Sequence, residues 1–233
     1  MKSRFMRLFL PMENSILSNF RKLQSEIPAS VRLVAVSKTH TEEKILHLYN
    51  VGHKIFGENK VQELLVKHEH LPKDIEWHFI GHLQTNKVKS IAPFISLIHS
   101  VDSLKLLKEI NKEAEKNKRV ISCLLEVHIA TEETKFGMNR EEIIELITSP
   151  EYGSFRNISI CGLMGMASFS SDMNLVQKEF QHISSLFKEI KNNYFKEDQK
   201  FCELSIGMSG DYLLAIKEGS TLVRVGSLIF GDR

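Results

Sequence analysis

Lys38 is the first residue of this sequence whose position suggests chemistry. It follows the apolar run 33–36, whose lack of polar alternation is typical of a parallel strand buried on both faces. The residues that come next, 39–44, predict a loop and the start of a helix, so Lys38 lies where a strand becomes a loop. Two interpretations remain open at this point: a lysine whose ammonium group reaches solvent, or a lysine with a lowered pKa that forms a Schiff base.

Two later groups of small residues have the composition of a phosphate-binding site. Backbone N–H groups that glycine leaves exposed, together with serine hydroxyls, can donate hydrogen bonds to an anion. Serine and glycine also fill ordinary turns, so neither group alone distinguishes the two interpretations. The first group precedes a predicted helix and contains Ser205, Gly207, Ser209 and Gly210, and the second follows the last predicted strand and contains Gly226 and Ser227.

Arg224 alternates with Val223 and Val225 on the last predicted strand, so its side chain faces the opposite way from theirs. An inward guanidinium group needs a partner, whereas an outward one is only a solvated charge. A lysine, a phosphate cradle and an arginine at one site would suit the aldehyde, the phosphate and the ring nitrogen of pyridoxal 5′-phosphate. The three features together suggest this cofactor.

A metal site is not indicated. His78 and His82 have the spacing of a metal pair on a helix, but the segment 77–80 predicts a strand. On a strand the two histidines would be separated by over a dozen ångströms, at ~3.3 Å per residue. The cysteines Cys123, Cys161 and Cys202 lie far apart in apolar runs, which favours a reducing compartment over disulfides or a metal cluster.

The composition argues against several classes of protein. The 31 basic and 29 acidic residues give a net charge of +2, which provides no general attraction for nucleic acid or an anionic membrane. No stretch is apolar enough for a transmembrane span, and the N-terminus lacks the uninterrupted apolar core of a secretory signal. We therefore expect a cytoplasmic protein.

Eight short apolar segments alternate with amphipathic ones, and these elements must position the candidate residues. Eight β/α units in 233 residues predict an α/β fold, a single (β/α)8 TIM barrel, which typically has ~250 residues. A doubly wound open sheet is the alternative, but no Gly-x-Gly-x-x-Gly follows the first strand. The predicted strands after the one that ends near Lys38 are 54–56, 77–80, 94–98, 120–127, 158–164, 202–204 and 221–225, with His99 and Ser100 in the loop after 94–98.

A helix with apolar residues at helical spacing, 12–26, precedes the first strand, so the barrel has an extra N-terminal helix. Residues 1–11 predict a poorly structured lead-in, and residues 12–233 form the barrel. In such a barrel the carboxyl ends of all strands open on one face. Lys38, Arg224 and both groups of serine and glycine would meet there.

Five stretches of the sequence resemble the YggS/PROSC family of pyridoxal-phosphate-binding homeostasis proteins, which is related to the barrel domain of alanine racemase. The resemblance runs from about residue 30 to the C-terminus, and the stretch 77–87 is highly specific to the family. The matching residues are Val34-Ala-Val-Ser-Lys38-Thr, Phe56-Gly-Glu-Asn59-Lys-Val-Gln-Glu63, Trp77-His-Phe-Ile-Gly81-His-Leu-Gln84-Thr-Asn-Lys87, Leu204-Ser-Ile-Gly-Met-Ser209, and Val223-Arg-Val-Gly226 through Ile229-Phe-Gly231.

This resemblance implies a fold-type III barrel that binds pyridoxal phosphate, with Lys38 as the internal-aldimine lysine. It places Asn59 near the cofactor ring and Arg224 at the pyridine nitrogen. It also places Ser205, Gly226 and Ser227 at the phosphate, with Met208 and Ser209 near the phosphate loop. Residues 40–41 and 135–137 depart from the family pattern and are given no role. The cofactor-binding residues expected are Lys38, Asn59, Ser205, Gly207, Met208, Ser209, Arg224, Gly226 and Ser227.

The resemblance also bears on activity. The related barrels have a histidine after the sixth strand, where this chain has Met166, and a thioether cannot shuttle a proton. Alanine racemase takes a second base from a tyrosine in a separate C-terminal β-domain, and we expect no such domain because this chain ends just after the eighth predicted strand. An arginine at the ring nitrogen disfavours protonation of the pyridine, which makes the cofactor a weaker electron sink.

We therefore expect a monomeric protein of pyridoxal phosphate (vitamin B6) homeostasis. It would hold the cofactor without efficient catalysis and supply it transiently to apo-enzymes that need it, with no nucleic acid or membrane partner. The alternative is a pyridoxal-phosphate-dependent amino-acid racemase or lyase, whose second base comes from a partner or from a residue such as Tyr212. A structural barrel without a ligand would leave Lys38 and Arg224 unexplained.

Overall fold

The fold is a closed barrel of eight parallel strands, in the order of the sequence, with helices between them. This computed structural model describes residues 11–130 and 137–231. The predicted lead-in, 1–11, lies outside the described residues except for Pro11, where the first helix begins. The strands are β1 (Arg32–Val36), β2 (Ile55–Glu58), β3 (Glu76–Phe79), β4 (Leu97–Val101), β5 (Ile121–Val127), β6 (Ile158–Gly165), β7 (Glu203–Ser205) and β8 (Leu222–Val225).

The helices form the outer layer of the barrel. Helix α1 precedes the first strand, as predicted, and packs against α2 and α10. No helix among the described residues is long and apolar enough to cross a membrane. The helices are α1 (Pro11–Glu26), α2 (Glu42–Asn50), α3 (Val61–His70), α4 (Val88–Ile91), α5 (Leu104–Lys116), α6 (Arg140–Thr148), α7 (Pro150–Ser154), α8 (Met173–Tyr194), α9 (Tyr212–Lys217) and α10 (Ser227–Phe230).

Two layers of apolar side chains explain why the strands lack polar alternation. A small cluster fills the inside of the barrel and includes Val34, Leu97 and Leu222. A much larger one fills the space between the strands and the helices, where Phe56, Trp77 and other large side chains are buried. Because both faces of each strand are covered, both faces are apolar.

The register between β1 and β8 closes the barrel and orients Arg224. Val34 is paired with Arg224, and Leu33 with Val223. Paired residues of neighbouring strands point to the same side of a sheet, and Val34 belongs to the interior cluster. Arg224 therefore points into the barrel, and the predicted alternation with Val223 and Val225 is confirmed.

The predicted position of the fourth strand is wrong by three residues. The segment 94–98 was expected to be the strand, but residues 92–95 still follow a helical turn, in which the Ile95 N–H donates to the Ile91 carbonyl over 2.9 Å. The Arg119 guanidinium group donates to the carbonyl oxygens of Ala92 and Ile95, and this stabilises the turn. The strand begins at Leu97, so His99 and Ser100 lie on β4 and are buried, not in the loop after it.

Helix α7 was not predicted. Ser149 ends α6 and caps α7, because its hydroxyl accepts a hydrogen bond from the Tyr152 N–H over 3.1 Å, and Pro150 occupies the first helical position. The signal was present in the sequence, but a helix of five residues is too short to show apolar periodicity.

Candidate functional site

A cavity of about 890 Å³ opens at the carboxyl ends of the strands. Residues from the ends of β1, β2, β3, β5, β6, β7 and β8 contribute to its wall, as expected for the functional face of a barrel. Seven of the nine expected cofactor-binding residues line it: Lys38, Asn59, Met208, Ser209, Arg224, Gly226 and Ser227.

Ser205 and Gly207 do not line this cavity. Ser205 is fully buried on β7, below the cavity, and its hydroxyl contacts Arg224. Gly207 has a left-handed backbone (φ +90°), and a Cβ atom there would lie 2.5 Å from the Cβ of Ala215. Its place is in the turn that packs against α9, because that close approach leaves room only for hydrogen.

Arg224 is held in the barrel interior by three hydrogen bonds. Its Nη1 donates to the carbonyl oxygen of Ser205 over 2.8 Å and to the Ser205 Oγ over 2.6 Å, while Nη2 donates to the Gly165 carbonyl over 3.0 Å. Burial lowers the pKa of the guanidinium group to about 10, although the acidic Asp211 and Glu126 oppose that shift. The group is therefore still cationic at neutral pH.

The hydrogen bonds continue below Ser205 to two buried histidines. The Ser205 Oγ is 3.0 Å from His99 Nδ1, and His99 Nε2 is 3.0 Å from His78 Nδ1. Burial lowers the pKa of His78 to about 3 and that of His99 well below its ordinary value, so both rings are neutral. With neutral rings, each group can donate to the next, from Arg224 to Ser205, His99 and His78.

The two histidines considered as a metal pair lie apart in their surroundings. His78 is inside the barrel and contacts His99, whereas His82 is at the rim, where its Nδ1 lies 3.2 Å from a carboxylate oxygen of Asp102. His78 lies on β3, whereas His82 lies beyond the end of that strand.

Two loops approach each other at the proposed phosphate end of the cavity. The N–H of Gly226, after β8, donates to the Ser209 Oγ, after β7, over 3.3 Å. Among the described residues the Ser209 hydroxyl has no recorded acceptor, so its hydrogen can be donated to a ligand. Asp211 fixes the same loop, because its Oδ1 accepts from the Met208 N–H over 2.5 Å.

The place of Asn59 in the cavity wall depends on Gly81. A Cβ atom at Gly81 would lie 2.5 Å from the Asn59 carbonyl oxygen and 2.8 Å from the Asn59 Cβ. Only glycine permits this approach of the loop after β2 to the loop after β3. Gly81 is thus a positioning residue for Asn59.

Sequence reasoning missed Glu126, a buried carboxyl group on β5 that lines the cavity. Its side chain is 3% exposed, and its Oε2 atom has no hydrogen-bond partner among the described residues. Burial raises its pKa to about 7, and the negative charge of Asp102 adds to this, whereas Arg224 opposes it. The signal was visible, since a charged residue near the end of an apolar strand run is what singled out Lys38.

Met166 and Tyr212 bear on proton transfer, and the structure shows which of them lines the cavity. Met166 lines the cavity and packs against the interior cluster. Tyr212 does not contribute to the lining, because its hydroxyl is directed at α1 and donates to the Glu26 carboxylate. Burial and that carboxylate raise the pKa of the Tyr212 phenol to about 12.

Comparison with known proteins places this architecture in context. A family model described as "Alanine racemase, N-terminal domain" matches residues 13–233. A curated protein of Aquifex aeolicus called "Pyridoxal phosphate homeostasis protein" is 43% identical over 204 residues, which are 87% of each chain. A protein of the same name from Synechocystis is 36% identical over 218 residues, which are 93% of this chain and 98% of that one.

The solved structures agree with these sequence matches. The structure of PipY from Synechococcus elongatus PCC7942, with PLP bound, is 33% identical and superposes with a TM-score of 0.84, over 93% of this chain and all of that chain. An alanine racemase of Clostridium difficile 630 has a TM-score of 0.72 at 12% identity, which shows a shared fold. It matches 94% of this chain and 57% of that chain.

Proposed function

This chain belongs to the pyridoxal phosphate homeostasis proteins, which share the fold of the alanine racemase N-terminal domain, and from this premise we propose that it binds pyridoxal 5′-phosphate through Lys38. The observation that carries the proposal is the meeting of Lys38, Arg224 and the Ser209–Gly226 loop pair around one cavity. PLP itself was bound in the related PipY structure. When bound, the cofactor would supply an aldehyde group for the amine of Lys38.

The residues present fit the cofactor's chemical groups. Lys38, just beyond β1, supplies the amine. The Ser209 and Ser227 hydroxyls, together with the backbone at Gly226, supply donors for the phosphate. Arg224 supplies a donor that remains cationic inside the barrel, so a pyridine nitrogen beside it would accept a hydrogen bond and would stay unprotonated.

Efficient catalysis is not part of the proposed function. Removing an α-proton from one face of an amino acid and replacing it on the other requires two acid/base groups. Of the two positions considered for a second such group, Met166 cannot transfer protons, and the Tyr212 hydroxyl is engaged with Glu26, away from the cavity. The function that this arrangement supports best is to hold the cofactor and to release it to other proteins.

Borohydride reduction of the purified protein with pyridoxal phosphate tests the proposed attachment. Reduction makes the link permanent, and mass mapping of peptides then locates it. We expect the modification on Lys38 in the wild-type protein and its loss in Lys38→Ala. Full modification of another lysine in the wild-type protein, or none, would contradict the proposal.

A further inference from the structure

We infer that Lys67, Glu58 and Glu63 form an ionic clamp, centred on the buried Lys67, that positions Lys38 for reaction with the cofactor. The clamp holds the two residues on either side of Lys38 and lies behind the cavity, not in its wall. This inference rests on the proposed function, because a positioned lysine has meaning only if Lys38 receives the cofactor.

Lys67, on α3, is the centre of the clamp. Its Nζ donates to the carbonyl oxygen of Ser37 over 2.8 Å, to Glu58 Oε1 over 2.7 Å and to Glu63 Oε1 over 2.7 Å. An ammonium group has three hydrogens, and these three bonds use all of them. The side chain is 5% exposed, so solvent cannot substitute for a lost partner.

The carboxylates extend the clamp to both neighbours of Lys38. Glu58 Oε1 accepts from the Ser37 hydroxyl over 2.6 Å, and Glu63 Oε1 accepts from the Thr39 N–H over 2.6 Å. Ser37 is thus held through its hydroxyl and its carbonyl, and Thr39 through its N–H. These contacts fix the backbone on both sides of Lys38.

The backbone of Thr39 has an unfavourable conformation, which the clamp stabilises. Thr39 has φ +67°, a left-handed conformation that a β-branched residue rarely adopts. Such a conformation persists only where surrounding contacts enforce it, and it occurs often at functional sites. The hydrogen bond to Glu63 is a contact that enforces it here.

The charges show why Lys67 is the essential member. Burial raises the pKa of Glu58, and the ammonium group of Lys67 is the strongest influence against that rise. Glu58 Oε2 has no hydrogen-bond partner among the described residues, so Lys67 is the main group that balances the charge of this carboxylate. Without Lys67, the pKa of Glu58 would rise further, and the Ser37 carbonyl would lose a charged donor.

The affinities for two ligands, one that reacts with an amine and one that cannot, distinguish a clamp that positions Lys38 from one that supports the whole site. Pyridoxal phosphate binds through its ring, its phosphate and its aldehyde, whereas 4′-deoxypyridoxine 5′-phosphate has a methyl group in place of the aldehyde and cannot react with an amine. In Lys67→Met we expect the affinity for pyridoxal phosphate to fall roughly tenfold to a hundredfold, as for a misplaced reactive group. The affinity for the deoxy compound should stay within about twofold of wild type. Lys112→Met, which removes an exposed helical lysine paired with Glu109, is the matched control.

A second pair of variants guards against misfolding of Lys67→Met. Glu63→Gln keeps an oxygen that accepts from the Thr39 N–H, whereas Glu63→Met does not. We expect Glu63→Met to lose affinity for pyridoxal phosphate selectively and Glu63→Gln to keep most of it. The clamp inference is overturned if both ligands weaken by the same factor, if neither weakens, or if Glu63→Gln behaves like Glu63→Met. A wild-type protein that binds both ligands without covalent attachment would instead overturn the proposed function, and the clamp with it.

Discussion

Ser205 and Ser209 lie four residues apart, yet the structure gives them different neighbours. The Ser205 hydroxyl is buried between Arg224 and His99, whereas the Ser209 hydroxyl lines the cavity and accepts from Gly226. In the sequence both are serines in one glycine-rich segment. Their separation follows from β7, which ends at Ser205 and so keeps that side chain inside the barrel.

This difference predicts distinct effects of two alanine substitutions on ligand binding. Ser209→Ala should lower the affinity for pyridoxal phosphate by roughly tenfold, the effect of about one lost hydrogen bond to a charged group. Its affinity for pyridoxal should stay almost unchanged. Ser205→Ala acts through Arg224, so it should lower the affinity for both ligands by a similar factor. Titrations of each variant with both ligands, at one pH and salt concentration, measure this. If Ser205→Ala lowered the affinity for pyridoxal phosphate but not that for pyridoxal, Ser205 would belong to the phosphate site after all.

Glu126 predicts a pH dependence of stability in the cofactor-free protein. Its folded pKa is raised from 4.5 to about 7, so the folded state holds the proton more tightly than the unfolded state does. Stability from this group is present below about pH 4.5 and is lost as the pH rises through about 7. Glu126→Gln does not titrate, so its stability relative to wild type should increase over this range by up to about 3 kcal/mol. Urea unfolding at about pH 5 and pH 8 tests the sign, and an equal difference at both would contradict it.

Some residues of the candidate site could be identified from the sequence, and others could not. Lys38 and Arg224 could be predicted, because a charge that interrupts an apolar strand needs an explanation. The same argument applied to Glu126 would have found it. Lys67 could not be found this way, since a lysine in an amphipathic helix is usually solvated. Glu63 is its neighbour one helical turn away, but only folding brings the buried carboxylate of Glu58 to it.

At the scale of elements, the loops after β2 and β3 depend on Gly81. Gly81→Ala would place a Cβ atom against the backbone of Asn59, which cannot move as a flexible side chain would. We expect a loss of roughly 1–3 kcal/mol in the free energy of unfolding and weaker cofactor binding as Asn59 is displaced. In the control Gly153→Ala, on α7, the new Cβ meets no heavy atom within 4 Å, so stability should rise by about 0.5–1 kcal/mol. Denaturant unfolding and cofactor titration of both variants provide the comparison, and a stable Gly81→Ala protein with normal binding would contradict it.

The element boundaries show where local patterns are insufficient. The order and number of the eight strands are confirmed, because apolar runs separated by amphipathic helices identify a barrel without knowledge of contacts. The fourth strand was misplaced because Phe94 and Ile95 are as apolar as the strand itself. What makes them a helical turn is Arg119, 24 residues beyond Ile95, whose hydrogen bonds no local pattern contains.

At the scale of the whole molecule, buried histidines predict sensitivity to acid. The pKa of His53 is lowered by burial from 6.5 to about 4, where the ring lies between Phe20 of α1 and Phe56 of β2. A base with a lowered folded pKa favours folding above its unfolded pKa, and this stability is lost as the pH falls from about 6.5 to 4. His53→Leu removes that titration, so its stability curve should be flatter over this range than that of wild type. The exposed His182→Asn is the control, and an unchanged slope in His53→Leu would contradict the assignment.

The final prediction concerns what the molecule does with its cofactor. One missing acid/base group costs ~10²–10⁴ in rate. At the position where the related barrels have a histidine this chain has Met166, and the Tyr212 hydroxyl is directed away from the cavity. We expect no efficient racemisation, decarboxylation or transamination when the loaded protein is incubated with each proteinogenic amino acid, followed by chiral analysis and product detection.

The loaded protein should instead restore activity to an apo-enzyme that requires pyridoxal phosphate, and Lys38→Ala protein carried through the same loading and desalting should restore far less. A turnover of about one per second, which is at the lower end for ordinary enzymes, would favour the racemase or lyase alternative. Failure to activate the apo-enzyme, with free pyridoxal phosphate active in parallel, would count against the supply of cofactor to other proteins.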